Sequence, residues 1–198
     1  MGRIQEIQNS KEFVSKVRPD LLKNIEYWHP YYVLVNNLKS FLVYKAIKLD
    51  LINTQTVAWV DFGYVRNMDT LNNVKTWRYQ FNPNRIHLFT IKRKYELNSI
   101  DNVHHAIFNN IAFIIGGVIV GAKENWKTFF KNMLSTQRAL FKENMMDDDQ
   151  RVYLLNLFNN KYLYELHYLG KDKWFHLFKK FDETSKVSLK ERIKDFFI

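Results

Sequence analysis

The sequence predicts an α/β domain with a mixed sheet flanked by helices. Three observations carry that expectation. Short β-branched runs such as TVAWV (Thr56–Val60) alternate with longer amphipathic stretches, the pattern of strands joined by helices. Three prolines and six glycines are all the punctuation in 198 residues, which leaves little room for long structureless linkers. With 46% hydrophobic and 16% aromatic residues, the chain can fill one well-packed core. Its length suits a single domain, residues 1–198, burying about 70% of its unfolded surface.

Pro19 opens a short helix over Asp20–Glu26, and Pro30 in WHPYY breaks the chain. Asn36 caps a helix NLKSFLVYKAIKLDLI whose apolar face is Leu38, Leu42, Ala46 and Leu49. TVAWV is then a buried strand ending on Asp61. IHLFTIKRKY reads as a second strand and Phe113–Val120 as a third; adjacent glycines there suit a strand better than a helix. ENWKTFFKNMLSTQRALFKEN is a long helix with Trp126, Phe129, Phe130, Met133 and Leu134 on one broad face. DDDQ opens a further helix, since acidic side chains suit a first turn. YLYELHYL is strand-like. Residues 171–198 form a basic, aromatic, helical C-terminal segment suited either to packing on the sheet or to an anionic membrane face.

There is no cysteine, so disulfides and thiolate zinc sites are excluded. The polar N-terminus has no signal-peptide core, and the longest apolar run, Ile111–Ala122, is too short for a bilayer. A net charge of +10 attracts polyanions: nucleic acid, acidic lipid or phosphorylated ligands. No nucleic-acid-binding signature accompanies it, and DDDQ opposes a phosphate backbone, so nucleic acid is not the expected partner. No phosphate-cradling glycine loop marks a kinase.

Three places carry candidate chemistry. Ligands of open α/β sheets bind beyond the carboxyl ends of strands, where Asp61 sits. It can hold a metal, bind a ribose hydroxyl or cap the next turn; Gly63 lets the backbone pass close to a ligand. DDDQ places three carboxylates where one suffices for a cap, so it is either a solvated acidic run or a site. HYLGKDKW brings together His167, a Mn²⁺ or Zn²⁺ ligand type, Gly170 for close approach to phosphate, and Lys173 for a phosphate oxygen.

A strand ending in Asp, a later Asp-Gln and a later H-x-x-G-x-x-K together resemble a GT-A glycosyltransferase, most closely the retaining lipooligosaccharide galactosyltransferase and glycogenin type. More closely still, YVLVNNLKSFLVYKAI, VAWVDFGY and MMDDDQRVYLLNLF resemble the HtrL/YibB family of bacterial surface-polysaccharide loci, described as glycosyltransferase-like. The likeness runs from about Tyr27 to Phe181, and WVDFGY is its most specific stretch.

That resemblance implies a GT-A-like sheet lacking its first N-terminal strands. It also implies a nucleotide-sugar donor, and a glycan or glycolipid acceptor such as lipopolysaccharide core. Asp149 and Gln150 would face the reacting sugar; Lys39, Asp61, Gly63, Gly170 and Lys173 would bind the donor. Asp61 and His167 would share Mn²⁺ or Mg²⁺, although Gly63 stands where the family's second Asp falls and Trp174 where its proline falls. Retention of stereochemistry and a cytoplasmic location at the inner face of the inner membrane follow from the same likeness. The competing expectation is a catalytically inactive, truncated member or partner subunit.

Overall fold

The computed structural model describes residues 1–182. Among them, helices α1 (Gly2–Gln8), α2 (Lys11–Lys16), α3 (Pro30–Asn37) and α4 (Lys39–Lys48) precede strand β1 (Thr56–Val60). Then come α5 (Met68–Leu71), β2 (Ile86–Thr90), α6 (Ile100–Phe108), β3 (Ile114–Ala122), α7 (Asn125–Lys142), α8 (Asp149–Asn159), β4 (Tyr164–Tyr168) and α9 (Leu177–Lys180). The expected mixed sheet is present, in the order β1-β3-β2-β4. β3 runs antiparallel between β1 and β2, and β4 lies parallel to β2. The strands β1, β2 and β4 therefore deliver their carboxyl ends to one edge of the sheet.

Each face of the sheet has its own core. On the helical face, Val57, Trp59, Leu88, Ile119 and Leu166 pack with Trp126, Phe129 and Met133 of α7 and Val152 and Leu155 of α8. On the opposite, aromatic face, Val60, Phe89, Ile115 and Val120 pack with Tyr64, Trp77, Phe81, Phe178 and Phe181. Both layers exclude water from the central strands, so β2 and β3 are buried on both faces rather than alternately, His87 and Thr90 included.

Local structure departs from expectation at two places. Asp20–Glu26 forms two 3-10 turns, Pro19–Leu21 and Ile25–Tyr27, instead of one helix. The helix expected from Asn36 onward is broken at Leu38, which ends α3 and starts α4. Its buried face is Lys39, Ser40 and Val43; Leu42 and Leu49, expected inside, are 44% and 55% exposed. The break lets α4 turn Lys39 inward toward two carboxylates, and that polar contact overrides the apolar periodicity. The C-terminal residues 183–198, part of the segment expected to be helical, lie outside the described residues. Within that segment α9 is one helical turn over Leu177–Lys180. Among the described residues no helix is long and apolar enough to cross a membrane.

The adjacent glycines of β3 sit in a register break. Leu88 pairs with Ile119 and Thr90 with Ile114, so β3 spends five residues where β2 spends two. Such a bulge re-aims the backbone. At Gly116 an added Cβ would lie 2.2 Å from Asp149 Oδ1. At Gly63 it would meet nothing within 4 Å, and φ there is not positive, so the fold itself does not require that glycine. Gly116→Ala should therefore cost roughly 1–3 kcal/mol by overpacking, whereas Gly63→Ala should stay within about 0.5 kcal/mol. Urea denaturation of the two variants checks the contrast.

Candidate functional site

Lys39 is the first residue of α4, where a helix N-terminus disfavours a cation. Two carboxylates reverse that penalty. Lys39 Nζ donates to Asp149 Oδ2 at 2.5 Å, to the Asp61 carboxylate at 3.0 Å and to the Gly116 carbonyl at 3.0 Å. All three ammonium protons thereby have acceptors. Burial alone would lower the Lys39 pKa; Asp149 and Asp61 outweigh it and hold the group charged. Burial pushes the Asp149 carboxyl above the usual carboxylate range, and the ammonium pulls against it. The Tyr153 hydroxyl, 3.4 Å from Asp149 Oδ2, donates to the same carboxylate.

Asp61 follows β1 directly. Its backbone N–H is held by the Gly117 carbonyl at 2.9 Å, and Trp59 Nε1 donates to Asp61 Oδ1 at 2.6 Å. The indole lies two residues earlier on the same face of the strand, so the sequence WVD is itself an aiming device. Side-chain exposure separates the three groups: 5% for Lys39, 3% for Asp149 and 37% for Asp61. Asp61 is therefore the member of the clamp that reaches solvent, and Asp149 is enclosed behind Lys39.

The acidic run is buried rather than solvated, and each member has a separate task. Asp147 accepts from Arg151 Nε at 2.5 Å and from its Nη2 at 2.8 Å, a bidentate pair. Asp148 caps α8 by accepting from the Gln150 N–H at 3.1 Å, and lies 3.2 Å from Arg151 Nη2. Asp149 pairs with Lys39. The Asn37 amide holds the Asp147 carbonyl at 2.8 Å, tying the end of α3 to the start of α8. Gln150 Oε1 is buried and accepts no hydrogen bond among the described residues.

The second cluster lies on the same carboxyl edge, at the opposite lateral strand, β4. Gly170 follows β4 with φ +125°, and a Cβ there would lie 2.8 Å from Lys173 Cγ, so the turn demands glycine. Lys173 and Lys171 are exposed on that turn. The Asp172 N–H bonds the Ile91 carbonyl at 3.2 Å, which sets the turn beside exposed Lys92, Arg93 and Lys94 after β2. The carboxyl edge is thus basic at β2 and β4 and carries Asp61 at β1.

His167 is not brought to Asp61. It stands on β4 opposite Phe89 of β2, with β2 and β3 between it and β1, and its ring lies on the aromatic face against Phe89, Phe81 and Phe181. Its Nε2 faces His87 Nδ1 at 2.8 Å. Of the expected residues, Lys39, Asp61 and Asp149 form one constellation, and Gly170 and Lys173 form another. Gly116, Trp59, Tyr153 and Arg151 escaped the sequence reading. Arg151, four residues after Asp147, was the visible signal; the others are tied to the site by tertiary contact.

Lys39→Met should leave Asp149 as an unpaired buried charge and cost about 3–5 kcal/mol, with Asp61→Asn costing clearly less because Asp61 reaches solvent. Arg151→Leu should cost a similar 3–5 kcal/mol by stranding Asp147. Guanidinium melts of the three variants at one pH test both statements; a Lys39→Met protein as stable as the parent would remove the clamp from the fold's essentials.

Comparison with known proteins places this geometry. Over 195 residues the chain is 41% identical to Protein HtrL of Escherichia coli (strain K12), covering 98% of this chain and 68% of that protein. No solved structure matches the chain. Residues 2–183 match the family described as "Bacterial protein of unknown function (HtrL_YibB)". The three-carboxylate run, the clamp lysine and the strand-end aspartate are thus features of a chain that belongs to the HtrL_YibB family.

Proposed function

We propose that this protein is a glycosyltransferase. It takes a sugar from a nucleotide-sugar donor and passes it to a bacterial surface glycan or glycolipid, such as lipopolysaccharide core. The observation that carries the reading is the clamped, partly exposed Asp61 at the carboxyl end of β1, on the same sheet edge where β2 and β4 end in basic turns. An anionic diphosphate is drawn to Lys173 and its basic neighbours, while Asp61 offers a fixed acceptor for a ribose hydroxyl.

In this reading the acceptor hydroxyl oxygen forms the new bond to the anomeric carbon as the bond from that carbon to the diphosphate oxygen breaks. The nucleoside diphosphate leaves with the electron pair, and the hydroxyl proton passes to a phosphate oxygen or to solvent. Charge grows on the leaving diphosphate, and preplaced cations stabilise it. Lys173 supplies that charge. Lys39, fully engaged with its three acceptors, positions Asp61 instead of touching phosphate. Gln150 meets a sugar hydroxyl only once its side chain turns the buried, unpartnered Oε1 outward. Retention of configuration is the preferred outcome.

For Mn²⁺ or Mg²⁺ the donor set is narrow. Asp61 supplies one carboxylate, Gly63 stands where a second would fall, and His167 lies on the other face. Asp61 can share a hard cation with diphosphate oxygens but does not build a cage for it. An acceptor of this class puts the protein's work in the cytoplasm, at the inner face of the inner membrane.

A second reading, a non-catalytic partner subunit, is favoured by one feature: β1 is an edge strand, with no strand on its outer side among the described residues. Thermal-shift measurements with UDP-, GDP- and CMP-sugars, with and without Mn²⁺, separate the two. A donor at about 100 times its Kd should add about 2.7 kcal/mol of stability. The shift should be confined to one nucleotide and lost in Asp61→Ala and Lys173→Ala. A folded chain that no donor shifts overturns the glycosyltransferase reading in favour of the partner subunit.

A further inference from the structure

We infer that His87, Glu165 and His167 form a binding site for a zinc-class divalent cation on the aromatic face of the sheet, pinning β2 to β4. The inference stands apart from the glycosyltransferase reading and from any cation at Asp61.

The sheet register builds the site. His87 of β2 pairs with Glu165 of the parallel strand β4, and Phe89 pairs with His167. Residues 165 and 167 share a face because they are two apart on one strand. The ligating atoms of all three residues lie within 4.8 Å of one another. His87 Nδ1 and His167 Nε2 are 2.8 Å apart; Glu165 Oε2 is 3.8 Å from the first and Oε1 is 3.9 Å from the second. Donors bound to one tetrahedral zinc at about 2.0–2.1 Å stand about 3.3 Å from one another. Opening the imidazole pair by about half an ångström, and bringing one Glu165 oxygen in by at most about 1.5 Å, converts the present spacing to that one.

The tautomers are set by a carbonyl. His87 Nε2 lies 2.9 Å from the Asn82 carbonyl oxygen, which only accepts, so Nε2 carries the proton. His87 Nδ1 is then a bare lone pair aimed at His167 Nε2. A ligating imidazole anchored through its other nitrogen to a backbone carbonyl is the usual outer-shell arrangement of a metal site. Without a cation, His167 Nε2–H donates to His87 Nδ1. With one, the His167 proton moves through solvent from Nε2 to Nδ1, and both facing nitrogens bind the ion with no net change in protons.

The surroundings suit this role. Phe81, Phe89 and Phe181 wall the pair. Glu165, 41% exposed at its side chain, supplies the compensating charge and an entry path from solvent. Two imidazoles and one carboxylate select zinc, cobalt or nickel over magnesium and calcium. Three protein ligands leave a fourth position for water.

Untagged, chelator-treated protein titrated with Co²⁺ tests the site. One equivalent should give a saturable visible d–d absorption, abolished by one equivalent of Zn²⁺ and unaffected by excess Mg²⁺. Zn²⁺ should raise the melting temperature. Glu165→Gln, at a half-exposed position, should fold normally and weaken Co²⁺ binding by about tenfold or more. His167→Gln should abolish the absorption. No saturable Co²⁺ spectrum on natively folded protein overturns the inference and leaves a plain hydrogen-bonded imidazole pair. A spectrum that survives both substitutions also overturns it, because the ion then sits elsewhere.

Discussion

One ammonium group, Lys39 Nζ, joins four segments that are remote in sequence: the start of α4, the end of β1, the bulge of β3 and the first turn of α8. Each segment bends a local rule to reach it. α3 and α4 break at Leu38, a lysine occupies a helix N-terminus, β3 spends two glycines on a register shift, and a carboxylate is buried beneath the sheet edge. Singly, each departure is unfavourable. Together they satisfy every proton of one cation, and a buried polar network is stable only in that complete form.

The sheet divides the chemistry between its faces. On the helical face the Lys39 clamp and the Asp147–Arg151 pair fix α8 and present Asp61 at the edge. On the aromatic face two neutral imidazoles sit among phenyl rings. The expectation that Asp61 and His167 would act together fails on strand order, which inserts β3 and β2 between their strands. Sequence spacing cannot reveal that order, because β3 enters the sheet between two strands that precede it in the chain.

The strands, α7 and α8 were legible because their apolar patterns are long or sharply bounded. TVAWV matched the observed strand residue for residue. The α3–α4 region was misread because periodicity scores Leu42 and Leu49 as core and has no means to score a buried lysine. DDDQ raised the right question, an excess of carboxylates. Its answer required Arg151, which local spacing offers, and Lys39, which stands 110 residues away. Nothing local marks His87; it joins His167 only through the β2–β4 register.

The reach of the clamp bears on the order in which the molecule assembles. Its hydrogen bonds close loops of 22, 77 and 110 residues. Such closures gain their energy only after most of the chain has been ordered. Loop closure of this length leads us to expect that the clamp closes late, once the sheet and α8 have met. Interactions of that kind leave the folding rate nearly untouched and slow the reverse reaction. Replacing Lys39 is then expected to shorten the life of the native molecule more than to delay its formation.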